Sequence, residues 1–164
     1  MQFDASGKRL DPYRNFLFRV KWGSDYVAGV SKVSGLAKTV QAIRHREGGD
    51  PNPRMLPGQV DWQPITMERG ITNNAEFQKW ASAVWGYSNM QGELGKTATP
   101  VLAEFRRDMT VELYNESGVL AMTWNIYYAW PSAYVGLSEL DALGNVVTIE
   151  SLTLQHEGFE LSAK

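Results

Sequence analysis

The sequence contains no cysteine and only two histidines in its 164 residues. The absence of cysteine excludes disulfides, thiolate zinc sites, iron–sulfur ligation and cysteine nucleophiles. His45 and His156 lie far apart in the sequence and have no carboxylates at ligand spacing, so we interpret them as polar strand residues. We therefore expect no metal ion and no cofactor.

A strong charge excess and long apolar runs are also missing. Sixteen Lys+Arg and eighteen Asp+Glu leave a net charge of -2 without a basic stripe, which argues against a protein that wraps nucleic acid. No run approaches the roughly 20 apolar residues of a membrane-spanning helix. The N-terminus also lacks an apolar secretory signal. We expect synthesis in the bacterial cytoplasm without a signal peptide, and no insertion into a membrane.

Motifs for catalysis are equally scarce. There is no G-x-S-x-G elbow that would present a nucleophilic serine. Gly48 and Gly49 precede Asp50 and two prolines and open no helix, so a turn explains them better than a phosphate-binding loop. The pair Glu68–Arg69 lies at a predicted strand end, where a surface or interface ion pair is commoner than acid–base chemistry. The sequence therefore predicts no enzyme.

Alternating apolar and polar residues predict a mainly β chain. In the first strand, Phe16, Phe18, Val20 and Trp22 share one face. The strongest signal is a hairpin around the turn Asn115–Gly118, with Leu120, Met122, Trp124, Ile126, Tyr128 and Trp130 expected on one face. The other predicted strands are Tyr26–Val33, a strand over residues 60–67 bulged or placed at an edge by Pro64, and Val146–Leu154. The pattern of the last strand slips between Ile149 and Leu152, which indicates a bulge or burial on both faces.

One amphipathic helix is predicted from Asn74 to Trp85, because its apolar residues recur at helical spacing. Asn73 is expected to cap it, and Gly86 to end it. Residues 1–12 are expected to form an N-terminal arm and residues 87–100 an exposed insertion within a single domain over residues 1–164. Two packed antiparallel sheets, or a barrel-like arrangement, with one flanking helix is the predicted fold.

The strand predicted at Thr39–Glu47 has two mixed faces, which is typical of a strand that contacts something on each side or lines an aqueous surface. A loop rich in glycine and proline follows, and Pro57–Gly58 is expected to close it. Long loops in compact domains are usually functional or disordered. This segment is the first indication of assembly.

An ordered set of motifs resembles the tail tube protein family of contractile-tailed bacteriophages and phage-like extracellular contractile injection systems. It runs through nearly the whole chain, from about Asp11 to Leu161. The motifs are Val33-Ser34-Gly35-Leu36, His45-Arg46-Glu47-Gly48-Gly49-Asp50, Pro57-Gly58, Ile65-Thr66-Met67-Glu68-Arg69-Gly70, Glu76-Phe77 with Trp80, Val111-Glu112-Leu113-Tyr114-Asn115 and Trp130-Pro131.

The resemblance implies a structural subunit of hexameric rings that stack helically into the hollow inner tube of a virion tail or injection particle. It implies as partners other copies of the chain, the contractile sheath protein, baseplate or hub proteins and tube-terminating proteins. A tape measure, DNA or effector cargo would occupy the lumen. The residues expected at assembly interfaces are Arg44, His45, Arg46, Glu47, Gly48, Gly49, Asp50, Pro57, Gly58, Glu68 and Arg69.

Two alternatives stay open at this point. A tube initiator or terminator of the same fold would occur once per particle instead of in many stacked rings. A monomeric β-barrel that binds a small apolar ligand would instead have a cavity lined by Trp62, Trp124 or Trp130.

Overall fold

A computed structural model of the chain describes residues 2–3, 9–10, 17–27, 29–46, 48–49, 52–90, 105–138 and 147–163. It contains twelve strands and one helix, α1, at Glu76–Met90. The strands are β1 (Gln2–Phe3), β2 (Arg9–Leu10), β3 (Phe18–Trp22), β4 (Asp25–Tyr26), β5 (Val30–Val33), β6 (Lys38–His45), β7 (Arg54–Trp62), β8 (Ile65–Gly70), β9 (Arg107–Tyr114), β10 (Leu120–Val135), β11 (Ile149–Gln155) and β12 (Gly158–Ala163).

Two antiparallel sheets share the long strand β10. Its first half pairs with β9 on one side and β12 on the other, and β3 and β4 continue this first sheet beyond β9. Its second half pairs with β11, which leads through β8 to β5 in the second sheet. The predicted fold class is confirmed, although the path of described strands ends openly at β4 and β5 and does not close into a barrel.

A bulge near the middle of β10 lets the strand pass from one sheet to the other. Ile126 pairs with Met109 and Ala129 with Arg107, so β10 has one extra residue there. Tyr128 adopts a positive φ of 52°, and its N–H donates to Asp108 Oδ1 at 2.9 Å. The prediction that Tyr128 shares the face of Ile126 is wrong, because the bulge leaves Tyr128 54% exposed and buries Ala129 instead.

The core lies between the two sheets and α1. The first sheet contributes Val20, Trp22, Met109, Val111 and Ile126; the second contributes Ile65, Met67, Leu152 and Leu154; the helix contributes Phe77, Trp80 and Ala81. The Trp80 ring meets the Trp22 ring edge-on with centroids 5.0 Å apart, and its Nε1–H donates to Phe105 O at 2.6 Å. The helix is therefore fixed against the first sheet by both packing and a buried hydrogen bond.

The helix begins and ends later than the sequence predicts. Asn74, not Asn73, caps it, since Asn74 Oδ1 accepts the N–H of Glu76 at 2.9 Å. Gly86 does not end it, and α1 continues to Met90 through the first residues of the predicted insertion. Residues 91–100 of that insertion lie outside the described residues.

Gly86→Ala is expected to raise the free energy of unfolding by about 0.5–1 kcal/mol, because glycine is a poor residue inside a helix. A Cβ at Gly86 would have no heavy atom within 4 Å, so nothing opposes the gain. Chemical denaturation of the natural sequence and of Gly86→Ala measures the difference in the free energy of unfolding. Gly118→Ala is the contrasting variant, because Gly118 has a φ of +74° and alanine should destabilise there.

Two other predicted strands differ in the structure. The segment Tyr26–Val33 is not one returning strand, because β4 pairs with β3 in the first sheet while β5 pairs with β8 in the second. The predicted strand over residues 60–67 is broken at Gln63–Pro64 between β7 and β8. In each case the chain passes from one sheet to another, a long-range event that local alternation does not reveal.

The two C-terminal strands also differ from the prediction. β11 keeps a regular register with β8 from Ile149 to Leu154, so the first explanation of the slip, a bulge, does not apply. The second explanation, burial on both faces, agrees with the structure, because every residue of β11 is buried or partly buried. The apparent slip arises because Glu150 points into the core beside Leu152 and Leu154. The final strand β12, which the sequence did not indicate, completes the first sheet beside β10.

Candidate assembly interface

The strands β6 and β7 form a hairpin that pairs with no other strand in the described part of the chain. All eight residues of β6 are exposed, and of the nine residues of β7 only Gly58 and Trp62 are partly covered. A two-stranded hairpin on its own is only marginally stable in water. The hairpin therefore has two uncovered faces and needs another surface to stabilise it.

The register places most of the hairpin's apolar side chains on one face. Val40 pairs with Val60, Ala42 with Pro57 and Arg44 with Met55, so these residues project to the same side. Val40, Met55 and Val60 are 49%, 60% and 47% exposed. We call Val40, Ala42, Met55, Pro57 and Val60 the apolar hairpin face. The opposite face carries the exposed pair Ile43 and Leu56. Exposed apolar side chains clustered in this way are typical of an interaction site.

Pro57 and Gly58 lie within β7, so the prediction that they close the preceding loop is wrong. The register shifts between Val40 and Ala42, which leaves Gly58 and Gln59 opposite Gln41 in a bulge. A Cβ on Gly58 would lie 2.8 Å from Gln41 O and 3.0 Å from Ile43 Cγ1. Only glycine fits this close approach of the two strands.

The hairpin is joined to the two sheets at its base. The Trp62 ring lies 5.3 Å from the Phe159 ring and 5.9 Å from the His156 ring, between centroids. His156 Nε2 lies 3.0 Å from Gln63 O, and Lys38 Nζ lies over Trp62. This anchor fixes where the hairpin leaves the body and leaves its remaining length exposed.

The basic residues predicted at the interface lie at the far end of the hairpin. Arg44 and His45 end β6, opposite Met55 and Arg54, and Arg46 is exposed after them. Gly48 and Gly49 follow in the turn, where Gly49 has a φ of 93°. Glu47 and Asp50 lie outside the described residues. His45 at this end and His156 at the base are not brought together.

Glu68 and Arg69 are placed differently from each other. Glu68 pairs with Lys32 at 2.9 Å on the surface. Arg69 is fully buried, where its Nε donates to Glu150 at 2.5 Å and its Nη2 to Asn74 O at 2.6 Å. The side chain of Arg69 is thus engaged inside the chain, which differs from its expected contact with a neighbouring subunit.

A hydrogen-bonded network, not foreseen from the sequence, covers the polar face of the first sheet. Glu112 accepts from Lys21 Nζ at 2.6 Å and from the Tyr114 hydroxyl at 2.7 Å. Burial opposes ionisation of Glu112, but these two donors outweigh it and lower its pKa. The hydrogen bond to Glu112 raises the pKa of Tyr114 to about 12. At neutral pH the face is therefore an internally paired, polar surface.

The described residues contain neither a metal site nor a membrane-spanning helix. No group of three or more potential ligands is arranged to hold a metal ion within the ranges given above. In the same ranges, no helix combines the length and hydropathy that a membrane crossing requires.

The sequence matches the family described as T4-like virus tail tube protein gp19 over residues 14–160. Among curated proteins, none matches significantly. The chain is 25% identical to a solved chain of the PVC sheath-tube complex, an extracellular contractile injection system in its extended state, with a TM-score of 0.74 and coverage of 93% of both chains.

Two terminal complexes contain similar chains. One belongs to the PVC sheath/tube terminator, with 25% identity, a TM-score of 0.75 and coverage of 94% of this chain and 99% of that one. The other belongs to the anti-feeding prophage tube terminating cap, with 22% identity, a TM-score of 0.76 and coverage of 95% and 94%. Because the family match covers residues 14–160, most of its length, the chain belongs to the T4-like virus tail tube protein family.

Proposed function

We propose that this tail tube subunit forms hexameric rings that stack into a hollow conduit for DNA or protein cargo, and that it has no catalytic role. The observation that carries this proposal is the uncovered β6–β7 hairpin with its apolar face. A single copy leaves that face in water, whereas a neighbouring copy in a ring or stack would bury it. Val40, Met55 and Val60 are each about half exposed, so burial of the remainder of one such side chain contributes on the order of 1 kcal/mol.

Head-to-tail contacts account for both rings and stacks. A projecting element on one copy that docks on a different surface of the next is a heterologous contact, which closes into a ring or continues as a helical polymer. The unpaired edges of β4 and β12 are further surfaces that such contacts would cover. Repetition around a ring makes many individually weak contacts into a rigid wall.

The partners proposed for this chain follow from its similar structures. One similar chain lies in a sheath-tube complex and another in a sheath/tube terminator. We infer that the outer wall of this tube contacts a contractile sheath protein, and that its ends contact baseplate and terminating proteins. The assembly would be a virion tail or an injection particle.

Negative-stain electron microscopy with light scattering on the purified chain tests the proposal. We expect six-fold rings or hollow rods for the natural sequence. Met55→Lys combined with Val60→Lys should abolish them, because both charges would be buried in the contact. Val147→Lys is the matched control, since Val147 is 73% exposed outside the hairpin.

A chain that stays monomeric, even when supplied with preformed tube or baseplate, would contradict the proposal. If rods form equally well from the double lysine variant, the role of the apolar hairpin face is contradicted but the tube function is not. Counting copies per purified particle separates a main tube subunit from a terminator, because a terminator occurs once per particle.

A further inference from the structure

A surface groove of about 680 Å³ lies between the β3–β4 turn, the first turns of α1 and the start of β9. Its charged residues are Asp25, Glu76, Lys79, Arg107 and Asp108. We call it the β3–α1 groove. Its floor includes Trp22, the core tryptophan that also packs against the helix.

The carboxylates of the groove are in no direct ion pair with the described residues, although Lys79 and Arg107 line the same groove. Glu68, Glu112, Glu150 and Glu157 each pair with a lysine or arginine elsewhere in the chain. Asp25, Glu76 and Asp108 form no ion pair with any cation of the described ranges. Asp108 is held in place by the N–H of Tyr128, at the bulge of β10. With three carboxylates against Lys79 and Arg107, the groove has a small formal excess of negative charge, and its carboxylates keep their acceptor oxygens open to a partner's cation.

Arg107 gives the groove a fixed shape. Its guanidinium lies over the rings of Trp80 and Trp22, 5.1 and 5.7 Å from their centroids. Stacking of this kind restricts the side chain without using its N–H donors. Arg107 is therefore partly ordered before a partner binds, which lowers the entropy lost on binding.

Complementary charge lies at the far end of the hairpin of the same chain. Arg44 and Arg54 are exposed there and form no ion pair with the residues that the structure describes. They are on neighbouring pairs of the ladder, Arg44 opposite Met55 and Arg54 opposite His45, so their side chains project from the two opposite faces of the hairpin end and can meet the two walls of a groove. One chain therefore carries two exposed arginines near the end of a projecting hairpin, the part called its basic end below, and a concave surface with carboxylates in no described ion pair.

We propose that the basic end of the hairpin of one copy docks in the β3–α1 groove of a second copy, with Arg44 and Arg54 against Asp25 and Glu76. This rests on the proposed function, and it names the receiving surface of the head-to-tail contact. A second copy fits because the charges are opposite and both surfaces occur on every chain, as a repeating heterologous contact requires.

Disulfide trapping tests the contact directly, because the chain has no cysteine of its own. Arg54→Cys combined with Asp25→Cys should give a ladder of cross-linked copies when assembled tubes are oxidised. Arg54→Cys combined with Val147→Cys is the matched control and should give no ladder. Assembled tubes that yield no ladder from the first pair would overturn the proposal and leave the tube function intact.

Charge exchange provides a second, independent readout. Arg54→Glu and Asp25→Arg should each raise the protein concentration needed for assembly about tenfold, and their combination should restore much of the loss. Unchanged assembly of both single variants would also overturn the docking. Failure of the natural sequence to form tubes would instead refute the proposed function. Cross-linking of Arg54→Cys to a sheath protein would show that the hairpin end binds the sheath and not a second copy, which would also overturn the docking.

Discussion

Arg69→Met is expected to lower the free energy of unfolding by about 3–5 kcal/mol, because it would leave the buried carboxylate of Glu150 without its counter-ion. Arg69 is fully buried, and it joins β8 to β11 through Glu150 and to the start of α1 through Asn74 O. Its guanidinium also lies 4.0 Å from the centroid of Phe77. Urea denaturation followed by tryptophan fluorescence measures the loss.

Two further variants separate the buried charge from the loss of a large side chain. Lys32→Met removes the exposed ion pair with Glu68 and should cost only about 0–1 kcal/mol. Arg69→Met combined with Glu150→Met should recover a large part of the loss, because no unpaired charge remains in the core. If Arg69→Met costs no more than Lys32→Met, the pair does not stabilise the fold in this way.

The elements that the sequence predicted well are those whose signals are local. The hairpin of β9 and β10 follows from alternation on both sides of the turn Asn115–Gly118. In the structure the N–H of Val119 donates to Asn115 Oδ1, and Gly118 takes the positive φ that the turn requires. The central turns of α1 are likewise specified by the spacing of Phe77, Trp80 and Ala81.

The predictions from the sequence are wrong where the position of a residue depends on a partner far along the chain. Glu150 disrupts the alternation of β11, and the reason is Arg69, 81 residues away. Tyr128 lies outside the core because Asp108, 20 residues earlier, accepts its N–H and fixes the bulge. A single sequence shows neither pairing, so its alternation leaves a bulge and burial on both faces open for β11 and indicates no bulge in β10.

The interface was only partly predictable for the same reason. The mixed faces of the strand at Thr39–Glu47 indicated a surface that contacts something, and the structure shows an isolated, exposed hairpin there. The apolar hairpin face escaped notice, because the bulge at Gly58 changes the phase of β7. Met55 and Val60 therefore share a face despite their odd spacing in the sequence. Whether the expected basic residues contact another subunit stays a prediction.

Gly58→Ala is expected to prevent tube formation while leaving the rest of the fold intact. The added Cβ would lie 2.8 Å from Gln41 O, a backbone atom that can move only if the two strands separate or slip. A slip of one residue would turn either Val60 or Met55 away from the apolar hairpin face. Strain of about 1–3 kcal/mol in every subunit corresponds to a loss of assembly affinity of about 5-fold to 150-fold per contact, and it recurs at every contact of the tube.

Gly48→Ala is the matched control, because a Cβ on Gly48 meets no heavy atom within 4 Å and its φ is not in the positive region. Tubes from each variant can be quantified by sedimentation, and urea denaturation reports on the two sheets. The unfolding of the sheets should be similar in both variants, since the hairpin pairs with no other strand of the described chain. Normal tubes from Gly58→Ala would mean that the bulged register, and with it the apolar hairpin face, is not what assembly recognises.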